Sequence, residues 1–137
     1  MKHIVAIIAL ALLSITQTYA HTPNGEPPAK KMKANATVQH IVLFKFKAET
    51  TPEKVNEIVA AFEALPSQIK EIKGFKWGTN NSPEKLNKGL THAFILTFDN
   101  EKDRDTYLPH PAHKKFGTIV GPWLAEVTVV DFTDQAK

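Results

Sequence analysis

Residues 38–47 read VQHIVLFKFK, and this stretch decides the fold because large apolar side chains occur at both its odd and its even positions. Alternation with a period of two is typical of a β-strand, whose successive side chains point to opposite faces of a sheet. One face carries His40, Val42, Phe44 and Phe46, and the other carries Gln39, Ile41, Leu43 and Lys45. The stretch therefore predicts a strand in a sheet that needs a cover on each side.

Further elements follow this strand along the chain. Thr51-Pro52-Glu53 predicts a helix start, with threonine as the cap and proline in the first turn. Apolar residues then recur at helical spacing until Pro66. The remaining elements are strands at Phe75–Gly78, Thr91–Phe98 and Val127–Phe132 and a second helical region from Asn100. This order predicts an α+β fold of the ferredoxin-like type (βαββαβ), with a four-stranded antiparallel sheet and both helices on one face.

The two faces of the predicted sheet differ in how they are covered. The richer face, with His40, Phe44 and Phe94, should lie under the helices. The opposite face would expose an apolar patch of several hundred Å² to water, which soluble monomers rarely tolerate. It carries Ile41, Leu43, Ala93, Ile95, Val130 and Phe132. A second copy of the chain is the simplest cover, so we expect a homodimer whose sheets pack face to face into a dimeric α/β barrel.

The composition excludes several classes of function. The chain has 137 residues, a formal net charge of +3 and no cysteine. This length supports one domain with one core. Without cysteine there is no disulfide, no thiolate metal site and no cysteine nucleophile. The small net charge attracts nucleic acid weakly, and the glycine-flanked aromatic motif of RNA-binding sheets is missing, so we expect no nucleic-acid partner.

The start of the chain predicts export. A positive Met1-Lys2-His3 precedes the apolar run Ile4–Leu13, and residues 1–20 end in small residues suited to cleavage, as in a secretory signal peptide. An uncleaved anchor is the alternative, but the run is shorter than the about 20 residues that span a membrane. Residues 21–37 are rich in proline and lysine and predict a flexible linker before a domain at 38–133. We expect an exported protein, periplasmic or secreted, with no stable membrane insertion after cleavage.

Residues 105–117, DTYLPHPAHKKFG, hold the side chains best suited to chemistry. Proline pushes the residue before it toward an extended backbone, so the helix should stop near Tyr107 and restart at Pro111. His113 then shares a helix face with Phe116, which places it on the buried stripe. Tyr107 and His113 are therefore expected to face the interior.

Five stretches together resemble the stress-responsive α/β-barrel (Dabb) family. They are HIVLFKFK (40–47), Trp77-Gly78, Thr91-His92, YLPHPAHKKFG (107–117) and VTVVDF (127–132). The resemblance covers residues 38–132. It implies a ferredoxin-like subunit in a dimeric barrel, in agreement with the strand pattern.

Within this family the chain is similar to the plant polyketide cyclases. The resemblance implies that Tyr107 and His113 match the catalytic tyrosine and histidine of those enzymes, and that His40 and His92 match two pocket histidines. Phe62 stands where the cyclases have a tyrosine. We expect a substrate pocket between sheet and helices lined by His40, Val42, Phe44, Phe62, His92, Phe94, Leu96 and Phe116.

A tyrosine and a histidine in one dry pocket suit proton transfer without a cofactor. Histidine, with an ordinary pKa of about 6.5, exchanges a proton near neutral pH, and a tyrosine hydroxyl stabilises a developing oxyanion. In such a reaction, an enolisation or an aldol-type ring closure, His113 is the base and Tyr107 the acid. The alternative is that both are half-buried core residues whose polar atoms bond to backbone carbonyls.

Metal binding is the rival use of the histidines. His110 and His113 are three residues apart, but a zinc site needs three or four ligands. His40 and His92 lie on neighbouring antiparallel strands and are expected about 20 Å apart, at opposite ends of the sheet. We therefore expect no metal, and we interpret His110, at the start of the second helical piece, as a structural cap.

Three functions remain open from the sequence. The first is an exported protein that holds a small hydrophobic or aromatic molecule. The second is a cofactor-independent lyase or cyclase that uses the Tyr107–His113 pair, and the third is a non-catalytic interaction module. A pocket between the sheet and the helices separates the first two from the third, because an interaction module has that space filled by its own side chains.

Overall fold

Residues 36–135 are described by a computed structural model of the chain. The predicted signal peptide and the linker up to residue 35 lie outside these residues. Within the described part, no helix is both long enough and apolar enough to cross a membrane.

The described residues form four strands and three α-helices. The strands are β1 (Val38–Phe46), β2 (Gly74–Thr79), β3 (His92–Phe98) and β4 (Leu124–Thr133). The helices are α1 (Pro52–Glu63), α2 (Glu101–Tyr107) and α3 (Pro111–Val120), and short 3₁₀ helices follow at Leu65–Ser67 and Gly121–Trp123. The predicted order of elements is confirmed, and so is the split of the second helical region into two pieces.

Side-chain caps start the helices at the positions that the sequence indicated. Thr51, Asn100 and His110 each accept a hydrogen bond from a backbone N–H of the first turn, at 3.3, 3.0 and 3.2 Å. Helices α1 and α3 also begin with proline, whose fixed φ suits the first helical position. The interpretation of His110 as a structural cap is confirmed.

The sheet is antiparallel, and its strands lie in the order β2-β3-β1-β4. The central strand β1 pairs with β3 on one side and with β4 on the other. In this register His40 lies opposite Leu96 of β3 and opposite Asp131 of β4. This is the predicted ferredoxin-like topology, and it places a carboxylate beside a histidine on the face that the helices cover.

The hydrophobic core lies between the sheet and the helices. Phe62 of α1 is at its centre: its ring stacks on Phe116 of α3 at 4.3 Å and packs against Phe94 at 4.7 Å and Phe44 at 5.9 Å. Burying each such side chain contributes about 1.5–3 kcal/mol relative to leaving it in water. The aromatic cluster therefore fixes α1 and α3 against β1 and β3.

The opposite face of the sheet is apolar and uncovered in the single chain. Ile95, Val130 and Phe132 are 37%, 52% and 47% exposed, and Ile41 and Leu43 lie half-buried between them. All three helices pack on the other side, so nothing in the described part of the chain shields these groups. The predicted second apolar face is confirmed.

Candidate functional site

A cavity of about 350 Å³ lies between the helix-facing side of β1 and β4 and the helices α2 and α3. It opens beside β4, because the helices do not reach over this edge strand and leave Val127 and Val129 exposed. The cavity is lined by His40, Val42, Phe44, Phe62, Tyr107, Leu108, His113, Phe116, Gly117, Val120, Gly121, Leu124, Val127 and Val129. This lining is apolar apart from two histidines and one tyrosine.

The break between α2 and α3 brings Tyr107 and His113 together. Helix α2 ends at Tyr107, and the prolines at 109 and 111 redirect the chain before α3 begins. His113 lies in the first turn of α3, where the centre of its ring is 4.2 Å from that of Tyr107. Both side chains line the same cavity, as the buried stripe predicted.

The Tyr107 side chain is fully buried, yet its hydroxyl has no hydrogen-bond partner. Among the described residues it is the one fully buried side-chain polar atom without a partner. Burial first, and then the negative charge of Asp131, raise the pKa of Tyr107 above its ordinary value, so the hydroxyl keeps its proton. A buried donor without a partner costs about 1–3 kcal/mol. This hydroxyl therefore has an unused donor, and the side chain that carries it lines the cavity.

A backbone carbonyl orients His113. Its Nδ1 lies 2.9 Å from the carbonyl oxygen of Leu108, and because a carbonyl can only accept, Nδ1 carries the proton of the neutral ring. Nε2 then holds the lone pair that a base needs. The sequence left open that Tyr107 and His113 are core residues whose polar atoms bond to backbone carbonyls. This holds for Nδ1 of His113 and does not hold for the Tyr107 hydroxyl.

His40 is held by a carboxylate on the neighbouring strand. Its Nδ1 lies 2.6 Å from Oδ1 of Asp131, and Oδ2 of Asp131 accepts a hydrogen bond from Arg104. The His40 ring meets the Tyr107 ring edge-on, with centres 5.6 Å apart. Burial lowers the pKa of His40, although Asp131 opposes the shift. Burial acts upward on Asp131, but hydrogen bonds from Arg104 and His40 hold its pKa below the ordinary value.

The cavity gathers seven of the ten side chains that the sequence placed in the pocket. They are His40, Val42, Phe44, Phe62, Tyr107, His113 and Phe116. Phe94 and Leu96 do not line it and are fully buried in the core. Their strand, β3, lies one position further from the opening than β1, so neighbouring side chains cover them.

The structure also places His92 away from this cavity. His92 pairs with Phe44, four residues along β1 from His40, so the two histidines are ~13 Å apart along the strand rather than the expected 20 Å. The His92 ring stacks on that of Trp77, with ring centres 6.3 Å apart. His92 lines a separate cavity of about 430 Å³ under the loop between β2 and β3. That second cavity is larger, but it lacks a buried pair of titratable groups. In the described part of the chain, no three histidine or carboxylate side chains are grouped as metal ligands.

Sequence reasoning missed Asp131 and Arg104. A signal for Asp131 was present: in VTVVDF, positions 127, 129 and 131 share one face, so this aspartate is a charged residue at an inward position. Arg104 gave no comparable signal. Helix α2 has seven residues and buries one of them, Tyr107, which is too little to define an inward face.

Comparisons with known proteins agree with the fold. The sequence model of the family described as Stress responsive A/B Barrel Domain matches residues 38–134. The chain is 37% identical over 100 residues to the stress-response A/B barrel domain-containing protein HS1 of Arabidopsis thaliana, covering 73% of this chain and 92% of HS1. It is 28% identical over 96 residues to olivetolic acid cyclase of Cannabis sativa, covering 70% of this chain and 95% of the cyclase.

Solved structures with the same fold include an enzyme and a dimer. Hydroxynitrile lyase from Passiflora edulis superposes with a TM-score of 0.71 at 26% identity, over 75% of this chain and 97% of the lyase. A dimeric protein of unknown function with a ferredoxin-like fold from Bacteroides fragilis superposes with a TM-score of 0.59 at 30% identity, over 72% of this chain and 96% of that protein. The match to the family model spans all four strands and the cavity beside them. The chain therefore belongs to the stress-responsive A/B barrel domain (Dabb) family.

Proposed function

We propose that this protein holds a small neutral molecule, with an apolar body and one hydrogen-bond acceptor, in the cavity between sheet and helices. The volume of about 350 Å³ lies at the lower end of the ~300–1,000 Å³ typical of ligand pockets. It suits a single aromatic ring with a short substituent. Because the protein's own side chains leave this space open, the cavity argues against a module that only mediates interactions.

The lining favours a ligand without charge. No lysine, arginine, aspartate or glutamate of the described residues lines the cavity. The nearby ions Arg104 and Asp131 lie behind His40 and form an ion pair with each other. A carboxylate or phosphate that entered would lose hydration and gain no charged partner, which is costly. Phe44 and Phe62 instead offer flat apolar contact for a ring.

The unpartnered Tyr107 hydroxyl is the observation that carries this proposal. Native proteins pair nearly all buried polar groups, and an exception points to a missing partner. An acceptor on a bound molecule, such as a carbonyl oxygen, supplies that partner. The apolar groups around the hydroxyl then contact the remainder of the ligand.

Two probes of the same shape test the proposal. Acetophenone carries a carbonyl oxygen, and α-methylstyrene has a CH₂ group in its place. We expect Tyr107→Phe to weaken acetophenone binding by roughly 2- to 10-fold, the value of one neutral hydrogen bond, and to leave α-methylstyrene binding unchanged. Thr118→Ala, on the exposed side of α3, is the control and should change neither. Binding of neither probe to the wild type, or equal losses for both, would contradict the proposal.

Catalysis is the second candidate function, and the Tyr107–His113 contact favours it. With Nδ1 of His113 bonded to a carbonyl, Nε2 is available to take a proton from carbon next to a bound ketone. The Tyr107 hydroxyl donates to the ketone oxygen as it becomes an enolate, and return of the proton to carbon closes the cycle. Kinship with olivetolic acid cyclase and hydroxynitrile lyase supports a lyase or cyclase reaction of this kind.

Deuterium exchange tests this second function directly. Acetophenone in D₂O should exchange its methyl protons faster with the protein than with buffer, as followed by proton NMR. Because a general base is worth about 10²–10⁴-fold, His113→Ala should lose nearly all of the acceleration, and Thr118→Ala should keep it. If the protein exchanges the protons no faster than buffer does, the catalytic function is refuted and the binding function is unaffected.

We further propose that the protein is exported and acts as a homodimer. The signal-like residues 1–20 support export, while the open apolar face and the dimeric fold neighbour support the dimer. Mass spectrometry of the protein from its native cells checks export. A chain that begins at His21 is the expected result, and a chain that retains residues 1–20 would contradict it.

A further inference from the structure

Three side chains from three elements form a hydrogen-bonded series at the edge of the cavity. Arg104 of α2 donates through Nη1 to Oδ2 of Asp131 on β4, and Oδ1 of Asp131 lies 2.6 Å from Nδ1 of His40 on β1. The His40 side chain is buried, at 6% exposed, whereas Arg104 and Asp131 reach the surface and are 20% and 26% exposed. The Asp131 carboxylate thus bonds both to the guanidinium of Arg104, which is permanently charged, and to the ring of His40, which can titrate.

The presence of Arg104 changes what Asp131 does to His40. A histidine beside a shielded carboxylate ordinarily gains a proton, because an ion pair favours the charged ring. Here Asp131 already has the guanidinium as its counter-ion, and a guanidinium stays protonated. A proton on His40 would add an unbalanced positive charge where there is little water. Burial acts in the same direction and is the main reason why the pKa of His40 is lowered.

We propose that Arg104 is a positioning residue that keeps His40 uncharged, by balancing the charge of Asp131 while holding the carboxylate against the ring. Asp131 then acts as a hydrogen-bond acceptor, which fixes the His40 proton on Nδ1 and leaves the lone pair on Nε2. His40 lines the cavity. The uncharged ring adds a proton acceptor beside the Tyr107 donor. The use of this acceptor on a ligand rests on the proposed function, whereas the charge of the ring does not.

The other groups packed around His40 supply no competing negative charge. Helix α2 contributes Tyr107, whose hydroxyl stays protonated, and α3 contributes His113, which acts to lower the pKa of His40. Strand β3 contributes the ring of Phe98, with its centre 6.3 Å away. Burial therefore comes first in holding the pKa of His40 down, Asp131 is the one group of the described residues that acts upward on it, and His113 and then Arg104 act downward.

Histidine-labelled NMR tests the proposal without any ligand. The ¹⁵N shifts of both ring nitrogens report charge and tautomer as the pH is lowered, and His40→Gln identifies the signals of His40. Wild-type His40 should be uncharged near pH 7, with its proton on Nδ1. In Arg104→Met, an uncharged chain of similar length, the titration midpoint of His40 should rise above that of the wild type, because the guanidinium no longer acts to lower it.

Two further variants complete the test. Asp131→Asn removes the carboxylate that accepts from His40, while Arg104 keeps its positive charge, so the His40 midpoint should fall below that of the wild type. Asp105→Asn removes the exposed second partner of Arg104, which accepts from its Nε at 2.8 Å, and should leave the midpoint unchanged. An unchanged or lower midpoint in Arg104→Met would overturn the proposal. A charged His40 in the wild type near pH 7 would overturn it too, even if Arg104→Met fails to fold. Loss of probe binding would leave these results intact and count against the proposed function instead.

Discussion

The Tyr107 hydroxyl is expected to affect ligand binding and the free energy of unfolding in different ways. Because the buried hydroxyl has no partner, Tyr107→Phe removes a cost and no hydrogen bond. We expect the free energy of unfolding to stay the same or to rise by up to ~1 kcal/mol, measured by urea denaturation without ligand. Tyr107→Ala, which opens a large space, should lose about 3–5 kcal/mol. A clear loss of stability in Tyr107→Phe would mean that the hydroxyl is bonded within the protein.

His40 links stability to pH. Its pKa in the folded chain is lowered from 6.5, chiefly by burial, so the unfolded chain binds this proton more readily than the folded chain. The contribution is complete above pH 6.5 and is lost as the pH falls through the lowered pKa. His92, whose pKa burial also lowers, acts in the same direction. We therefore expect urea denaturation to show lower stability near pH 5 than near pH 7.5.

Substitution separates the contribution of His40 to the pH dependence of stability from the contribution of His92. His40→Gln should reduce the loss of stability between these two pH values, because the amide does not titrate in this range. The residual loss should then reflect His92, and His40→Gln combined with His92→Gln should lower it again. A wild-type protein that becomes more stable on acidification would contradict the assignment of both histidines.

Helix α3 depends on a histidine cap for its start. His110 Nδ1 accepts the hydrogen bond of the Ala112 N–H at 3.2 Å, in a position where aspartate is among the preferred residues. We expect His110→Ala to cost ~1 kcal/mol and His110→Asp to be at least as stable as the wild type, because a carboxylate also suits the positive end of a helix. Urea denaturation at neutral pH measures both. Equal stability of the two variants would show that the cap contributes nothing.

The broken second helix shows which features of an element the sequence specifies. Proline fixes its own φ and restricts the residue before it, so Pro109 and Pro111 predict the break between Tyr107 and α3 from local sterics. The inward face of α2 is a different matter. A helix of seven residues is set in place by what it packs against, so the contact from Arg104 to Asp131 appears only when β4 is beside it.

We expect the open apolar face to be the surface through which two copies of the chain pair. Val130 lies on that face, opposite Ile41 of the neighbouring strand, and is 52% exposed in the single chain. We expect the wild type to sediment as a dimer at micromolar concentration and Val130→Lys to sediment as a monomer, because the lysine would bury a charge between two sheets. Thr106→Lys, on the exposed side of α2, adds the same charge away from the face and should remain dimeric. A monomeric wild type would refute the dimer.

The sequence by itself determined the order of the elements, the two apolar faces of the sheet and the break that joins Tyr107 to His113. These features follow from local rules: a period of two in strands, a period of 3.6 in helices and the restricted backbone of proline. The second apolar face also predicted the dimeric barrel, and family resemblance agreed with it and added the expected roles of the tyrosine and the histidines.

The tertiary structure alone decided which of the expected side chains share a cavity. Phe94, Leu96 and His92 have the same alternation as His40 and Phe44, yet β3 lies further from the opening, so strand order and not pattern separates them. The register between β1 and β4 placed Asp131 beside His40 across 91 positions of chain. Contacts between residues so distant in the chain depend on how the elements pack, which no local pattern of side chains encodes.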